Sequence, residues 1–246
     1  MTSTAVPTPP TGNSFRVPPP SPRLPGAPFL VFDWLFALAV VGVIGAIVRI
    51  IFFTPIEATQ GAAQKIYYVH VPAALSAYLA LIVCAVMSMI YLWLREVRAD
   101  RMAESAGEVA LLFTTAVLIT GPLWGKPIWG TWWTWDARLT LTLFLWFVTA
   151  AYLVLRGAVD DPIMRARYSA VLAVLAALLI PFIHLSVYLF RTLHPMPIVL
   201  KPSEPSLPRE MLITFSVSSI AFLFFCAMLM RSRYRLALLR ERAGIV

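Results

Sequence analysis

The chain has 246 residues, 60% of them apolar and only 13% charged, with a net charge of +8. A water-soluble domain is nearer half apolar and a quarter charged, and a mean hydropathy of +0.79 excludes that class. The positive balance does not point to nucleic acid, because the basic residues stand at the ends of apolar segments and not along one face.

Residues 1–28 are rich in Pro, Ser and Thr. Such a stretch cannot bury enough apolar surface to fold alone, so a disordered tail is expected. It lacks the apolar run of a signal peptide. Six apolar segments follow, at about Phe29 to Phe53, His70 to Leu94, Val109 to Leu123, Leu139 to Leu155, Tyr168 to Phe190 and Met211 to Met230. A hydrocarbon core of about 30 Å takes roughly 20 apolar residues per helix. A lipid-exposed backbone must bond to itself, and these segments exceed the ~10-residue strands of a membrane barrel. The expected fold is all-α, with six transmembrane helices forming one domain over residues 29–230.

Lys and Arg set the orientation. With a cytoplasmic N-terminus, the inside holds Arg16, Arg23, Arg95, Arg98, Arg101, Arg156, Arg165, Arg167, Arg231, Arg233, Arg235, Arg240 and Arg242. The outside holds Lys65, Lys126, Arg138, Arg191, Lys201 and Arg209, while Arg49 falls inside the first helix. Thirteen against six predicts both termini in the cytoplasm for a multi-pass protein of the cytoplasmic membrane. The basic stretch at 231–246 is read as a cytoplasmic tail that anchors the last helix to anionic lipid; a docking surface for a partner is the sharper alternative. Cys84 and Cys226 lie within apolar segments and read as small buried hydrophobes.

Three outer loops result, at about 54–69, 124–138 and 191–209. The second holds Trp124, Trp129, Trp132, Trp133 and Trp135, five of the chain's eight tryptophans. An aromatic belt would spread them over many helix ends. Their gathering, with two glycines and a proline, points to a shaped platform. Indole faces offer broad apolar area at little entropic cost, which suits a large planar ligand such as a porphyrin. Of three histidines, His70 enters the second helix from the first outer loop, and His194 follows the fifth helix. Two histidines at one depth could ligate a haem iron from opposite sides. His184 lies ten residues before His194, roughly 15 Å deeper on a continuous helix, and reads either as a functional intramembrane residue or as a polar contact between helices. Arg138 is the favoured cation for haem propionates, with an interface anchor or a partner for Asp136 as the alternatives. Asp136 reads as ordering the loop by accepting bonds from indole or backbone N–H groups, or as a contact for a partner protein. The absence of CxxCH argues against covalently attached c-type haem, so the expected cofactor is haem b held non-covalently.

The run WGKPIWGTWWTWDARLT at 124–140 closely resembles the WWD signature of haem-handling proteins, YYVHVPAA at 67–74 resembles their first histidine context, and RTLHP at 191–195 the second. Together with length and loop order, these identify the chain as a member of the CcmC family, haem exporter protein C of cytochrome c maturation, over about residues 29–230. The resemblance implies that His70 and His194 are axial haem ligands, that the WWD loop with Trp124, Trp129, Trp132, Trp133, Trp135, Asp136 and Arg138 helps hold haem, and that His184 has no counterpart. It implies a haem-delivery subunit and not an enzyme, whose partner is the periplasmic haem chaperone CcmE. It further implies an ABC-type complex with the ATPase CcmA, the membrane subunit CcmB and the small single-helix CcmD. The Pro-rich tail departs from the family pattern. Ligands carried on loops would allow release as well as capture.

Three rival readings fit the sequence less well. A haem–apocytochrome c ligase of the same superfamily would be much longer. A b-type electron-transfer anchor needs paired histidines deep in helices, and only His184 is deep. A permease would show more ionisable residues inside its helices than Arg49 and His184. There is no GxxxxGK[ST], so the chain is not the ATPase.

Overall fold

The computed structural model describes residues 33–199 and 201–244; the Pro-rich tail and the start expected for the first helix at Phe29 lie outside them. From Trp34 onward the chain forms one unit of six helices long and apolar enough to cross a membrane. They are α1 (Trp34–Val48), α2 (Tyr67–Leu94), α3 (Val97–Trp129), α4 (Ala137–Ala158), α5 (Pro162–Leu189) and α6 (Arg209–Arg242).

Local chemistry sets the helix ends. Arg95 takes a left-handed conformation (φ 57°) and closes α2, while Glu96 caps α3 by accepting the Arg98 N–H. Asp161 Oδ1 accepts the Met164 N–H at 2.7 Å, with Pro162 in the first turn of α5. That pairing suits a helix start, where orphan N–H groups need acceptors and proline lacks the donor anyway. The end of α1 runs into a π-helical turn, Arg49–Phe53. There Arg49 reaches α6, through Nε to Thr214 Oγ1 at 3.1 Å and Nη2 to Glu210 at 3.2 Å.

Two boundaries differ most from expectation. α3 begins at Val97 and not near Val109, and α6 runs to Arg242 and not to Met230. Charges in these turns depress hydropathy, yet the helix continues because small residues recur on one face and the charges find partners. Ala99, Ala103, Ala106 and Ala110 are all buried at a four-three-four spacing that keeps them on one side. Opposite them, Arg156 of α4 binds Asp100 at 2.7 Å and Glu104 at 3.0 Å. Arg101 pairs with Glu241, and Glu108 with Arg233. Part of the stretch expected as a basic tail is thus the last turns of α6, clamped to α3.

α2 is central and packs on α3, α5 and α6; α4 packs on α5, and α1 on α6. The core is dominated by small side chains, Ala73, Ala77, Ala80, Ala106, Ala110, Ala173 and Ala176, with Leu81, Phe113, Leu145 and Ile183 between them. Small residues let helix backbones approach closely, the packing that holds helices together where the surroundings are themselves apolar. Large apolar residues such as Val41, Val171 and Phe182 face outward, as lipid contact demands. Cys84 and Cys226 are buried free thiols, in keeping with their reading as small hydrophobes.

Candidate haem site at one end of the bundle

One end of the bundle collects the α2 N-terminus, the α3 C-terminus, the α4 N-terminus and the segment after α5. A cavity with about 780 Å³ of open space lies there, walled by His70, Ala77 and Tyr78 of α2, Thr114 and Gly121 of α3, Leu139 and Thr142 of α4, and His194. Trp124, Trp129, Trp132, Trp133 and Arg138 complete the wall.

Seven of the nine expected site residues therefore meet around one space. The other two do not. Trp135 is 76% exposed, its ring edge-on to Trp133 at 5.7 Å. Asp136 caps α4, with Oδ1 accepting the Leu139 N–H at 3.0 Å and Oδ2 accepting the Thr134 hydroxyl at 3.4 Å. Its ordering role thus runs through backbone and hydroxyl donors.

The platform is half helix. Trp124 and Trp129 belong to the last turns of α3, which passes through Pro122 and Pro127 and stops at Gly130 (φ 73°). Gly130 donates its N–H to the Lys126 carbonyl at 3.0 Å, and Lys126 Nζ reaches the Gly130 carbonyl at 2.8 Å. The loop proper is residues 130–136. Glycine and proline suggested a longer loop, but prolines persist in a membrane helix where neighbours support it, and the glycine that ends this helix needs its left-handed φ.

His70 lies in the first turn of α2, a helix residue and not a loop one, and is only 9% exposed. Its ring meets Trp124 edge-on, centroids 5.8 Å apart. Its Nδ1 stands 2.9 Å from Thr120 Oγ1 of α3, and that hydroxyl is 2.7 Å from the Ala116 carbonyl. A hydroxyl has one proton to give, and two bare acceptors at 2.7 Å would repel. The Thr120 proton therefore goes to Ala116, and His70 Nδ1 carries the hydrogen that Thr120 accepts. Nε2 is left with its lone pair. Across from it, Gly121 is close enough that an added Cβ would lie 3.4 Å from His70 Cε1.

His194 reaches the same tautomer by another route. Its Nδ1 lies 3.0 Å from the Pro195 carbonyl, which can only accept. Its backbone N–H donates to Thr192 Oγ1 at 2.8 Å, which pins the turn. Its ring lies 6.4 Å from that of Trp129. Burial, with the nearby Arg138 charge, lowers its pKa to about 4 against the opposing pull of the Pro195 carbonyl.

Two buried polar atoms on the wall, Arg138 Nη1 and Trp133 Nε1, have no hydrogen-bond partner among the described residues. The Asp136 carboxylate is engaged with α4 and Thr134, so Arg138 keeps a free donor. His184 lines a second cavity, which shares Ala74, Tyr78, Trp124, Arg138 and His194 with the first. Its ring lies 6.0 Å from Tyr188.

Sequence reasoning missed Thr120, Gly121, Tyr78 and Gln60. Gln60 accepts the Trp124 indole N–H at 3.1 Å. Thr120 and Gly121 lie four and three residues before Trp124, on the same side of one helix; that spacing was the available signal once α3 is known to continue past Leu123.

The model of the CcmC family, described as heme exporter protein C, matches residues 26–245. The chain is 35% identical to heme exporter protein C of Haemophilus influenzae over 85% of each protein. It is 40% identical to that of Bradyrhizobium diazoefficiens over 76% of this chain and 72% of the relative. With the protein of the same name in Escherichia coli K12 it shares 33% identity over 77% of each.

Proposed function

Because this chain belongs to the CcmC, or heme exporter protein C, family, we propose that it holds haem b non-covalently in the cavity between α2, α3 and α4 for cytochrome c maturation. His70 and His194 are its axial ligands. The observation that carries this reading is that both imidazoles line one cavity with Nδ1–H turned to a protein acceptor. Nε2 is then the free ligating atom on each, the arrangement usual for metal-binding histidines.

The rest of the wall fits the same cargo. Trp124, Trp129, Trp132 and Trp133 give flat apolar faces for a macrocycle. A cationic donor left unpaired in a half-buried place is costly, and a propionate carboxylate would satisfy Arg138 Nη1; Trp133 Nε1 can serve the same anion. His184, Trp135 and Asp136 stay outside the coordination, and the exposed Trp135 is left for lipid or a partner. Haem, when bound, would supply the iron, the two carboxylates and the apolar face of its macrocycle; grip and release are set by the protein groups around it.

The excess of Arg at the α2–α3 and α4–α5 turns and at the end of α6 supports a cytoplasmic placement of that end. The haem site then faces the periplasm. There the chain passes haem to the chaperone CcmE, as a subunit beside CcmA, CcmB and CcmD and not as the ATPase.

The test is the visible spectrum of the detergent-purified chain supplied with haem, for wild type, His70→Ala, His194→Ala and His184→Ala. A low-spin spectrum lost or altered in the first two and kept in the third is expected. A wild-type spectrum in His70→Ala would remove the axial assignment.

A further inference from the structure

We infer that Thr120 is the positioning residue that fixes the tautomer and ring plane of His70, and so governs how fast this site gives up its cargo. The inference rests on the proposal that His70 ligates iron. It is carried by a relay of two hydrogen bonds within α2 and α3: His70 Nδ1–H to Thr120 Oγ1 at 2.9 Å, and the Thr120 hydroxyl to the Ala116 carbonyl at 2.7 Å. The second bond is what gives the first its direction. Since the threonine proton is held by the backbone four residues earlier, the oxygen facing His70 is an acceptor only. The imidazole must place its hydrogen on Nδ1 and its lone pair on Nε2.

The ring has little other freedom. Trp124 stands edge-on to it at 5.8 Å, and Gly121 brings the α3 backbone close to Cε1. Without the Thr120 oxygen, neither neighbour chooses between the tautomers.

The acceptor's chemistry also bears on release. A carboxylate in this place would draw the Nδ1 proton strongly and make the imidazole a firmer iron ligand, since bonds to charged acceptors are roughly twice as strong as neutral ones. Thr120 is neutral, and so is the Pro195 carbonyl that serves His194. Both histidines are oriented without being made strongly basic, as suits a protein that must hand haem on.

The experiment uses the full chain in detergent, loaded with ferric haem, in wild type, Thr120→Val and Thr120→Ser. Haem loss to a scavenging apo-protein and the midpoint potential of the bound iron are both read. Thr120→Val keeps the side-chain shape and removes the acceptor. It is expected to release haem about tenfold faster, at the lower end of what loss of an outer-shell partner costs. Its potential is expected to rise, because a less electron-rich imidazole stabilises ferric iron less. Thr120→Ser restores both values. A Thr120→Val protein matching wild type in release and potential overturns the inference, as does a Thr120→Ser protein that behaves like Thr120→Val, which would mean that the methyl group mattered. Thr120→Ala takes the place of Thr120→Val if that variant does not accumulate. Failure of the underlying reading is distinguishable, because His70→Ala would then leave the wild-type spectrum intact.

Discussion

Trp124 donates its indole N–H to Gln60 Oε1 across 3.1 Å, joining the tryptophan-bearing end of α3 to the segment that leads into α2. The same indole meets Tyr67 and His70 edge-on, with centroids 5.8 Å away in each case. The segment around Gln60 is itself held by the Glu57 carboxylate, which accepts the N–H groups of Thr59 and Gln60. Gln60→Ala should free the indole and let the His70 wall move. A lost hydrogen bond of about 1 kcal/mol corresponds to roughly fivefold weaker haem binding. Titration of the purified variant reads this directly, and unchanged affinity would mean that Trp124 is held by packing alone.

Arg138 offers a buried Nη1 that no described residue accepts. If a propionate is its partner, Arg138→Gln loses a bond to a charged group of about 1.5–3 kcal/mol, or roughly ten- to a hundredfold in affinity. Arg138→Lys recovers only part, since lysine cannot present the planar fork. The discriminating ligand is haem dimethyl ester, whose carboxyls are blocked. Arg138→Gln should weaken haem far more than the ester; an equal loss with both would assign Arg138 to the scaffold.

The cavity's composition was readable along the chain, while its supports were not. His70, His194, Arg138 and the tryptophans stand out because His and Trp are scarce and gather at segment ends. Thr120 and Gly121 look like ordinary helix residues, and only the approach of α3 to α2 gives them a task. The start of α3 was hidden for a related reason. Arg98, Asp100, Arg101, Glu104 and Glu108 read as a loop by hydropathy, and the residues that neutralise several of them, Arg156, Arg233 and Glu241, lie 50 to 140 positions further on. The helical half of the platform was missed because Pro122, Gly125 and Pro127 are loop formers in water, whereas in this setting the preceding turns and α2 carry the helix to Gly130.

The pH dependence of haem binding should be flat through the neutral range. Iron needs a neutral imidazole, so protons compete only below the pKa of the free histidine. Burial and the Arg138 charge bring His194 down to about 4, well under the ~6.5 of an exposed histidine. Falling pH therefore does not protonate His194 until it approaches that value, and haem affinity measured at pH 8, 7 and 6 should agree. A steep loss between pH 7 and 6 would contradict the placement of His194 beside a cation in a poorly solvated site.

Gly125 supports the platform by having no side chain. A Cβ there would lie 2.9 Å from Trp129 Cε3 and 3.0 Å from Cζ3, and the Trp129 ring stands beside His194. Gly125→Ala should displace that ring and weaken haem retention while leaving the bundle folded. Gly157 in α4 has open space around the same position, so Gly157→Ala serves as the matched control. Helical Gly-to-Ala changes otherwise stabilise by roughly 0.5–1 kcal/mol. Equal retention in the two variants would mean that Trp129 does not bear on His194.

At the opposite end of the bundle, Arg156 joins α4 to α3 through Asp100 and Glu104 and to α5 through Ser169 at 3.0 Å. Its side chain is 5% exposed and that of Asp100 16%. Two guanidinium nitrogens reach the two oxygens of Asp100, at 2.7 and 2.9 Å, so this carboxylate is the main counter-charge and Glu104 the lesser one. Breaking a buried pair by removing one partner costs about 3–5 kcal/mol; with Glu104 still present, Asp100→Asn should fall toward the lower figure. The variant is expected to melt earlier in detergent, yet to show the wild-type haem spectrum while folded, because no residue of this cluster lines the cavity. A normal melting temperature with an altered haem spectrum would reverse the assignment, making the cluster part of the binding apparatus and not the clamp that holds α3, α4 and α5 in register.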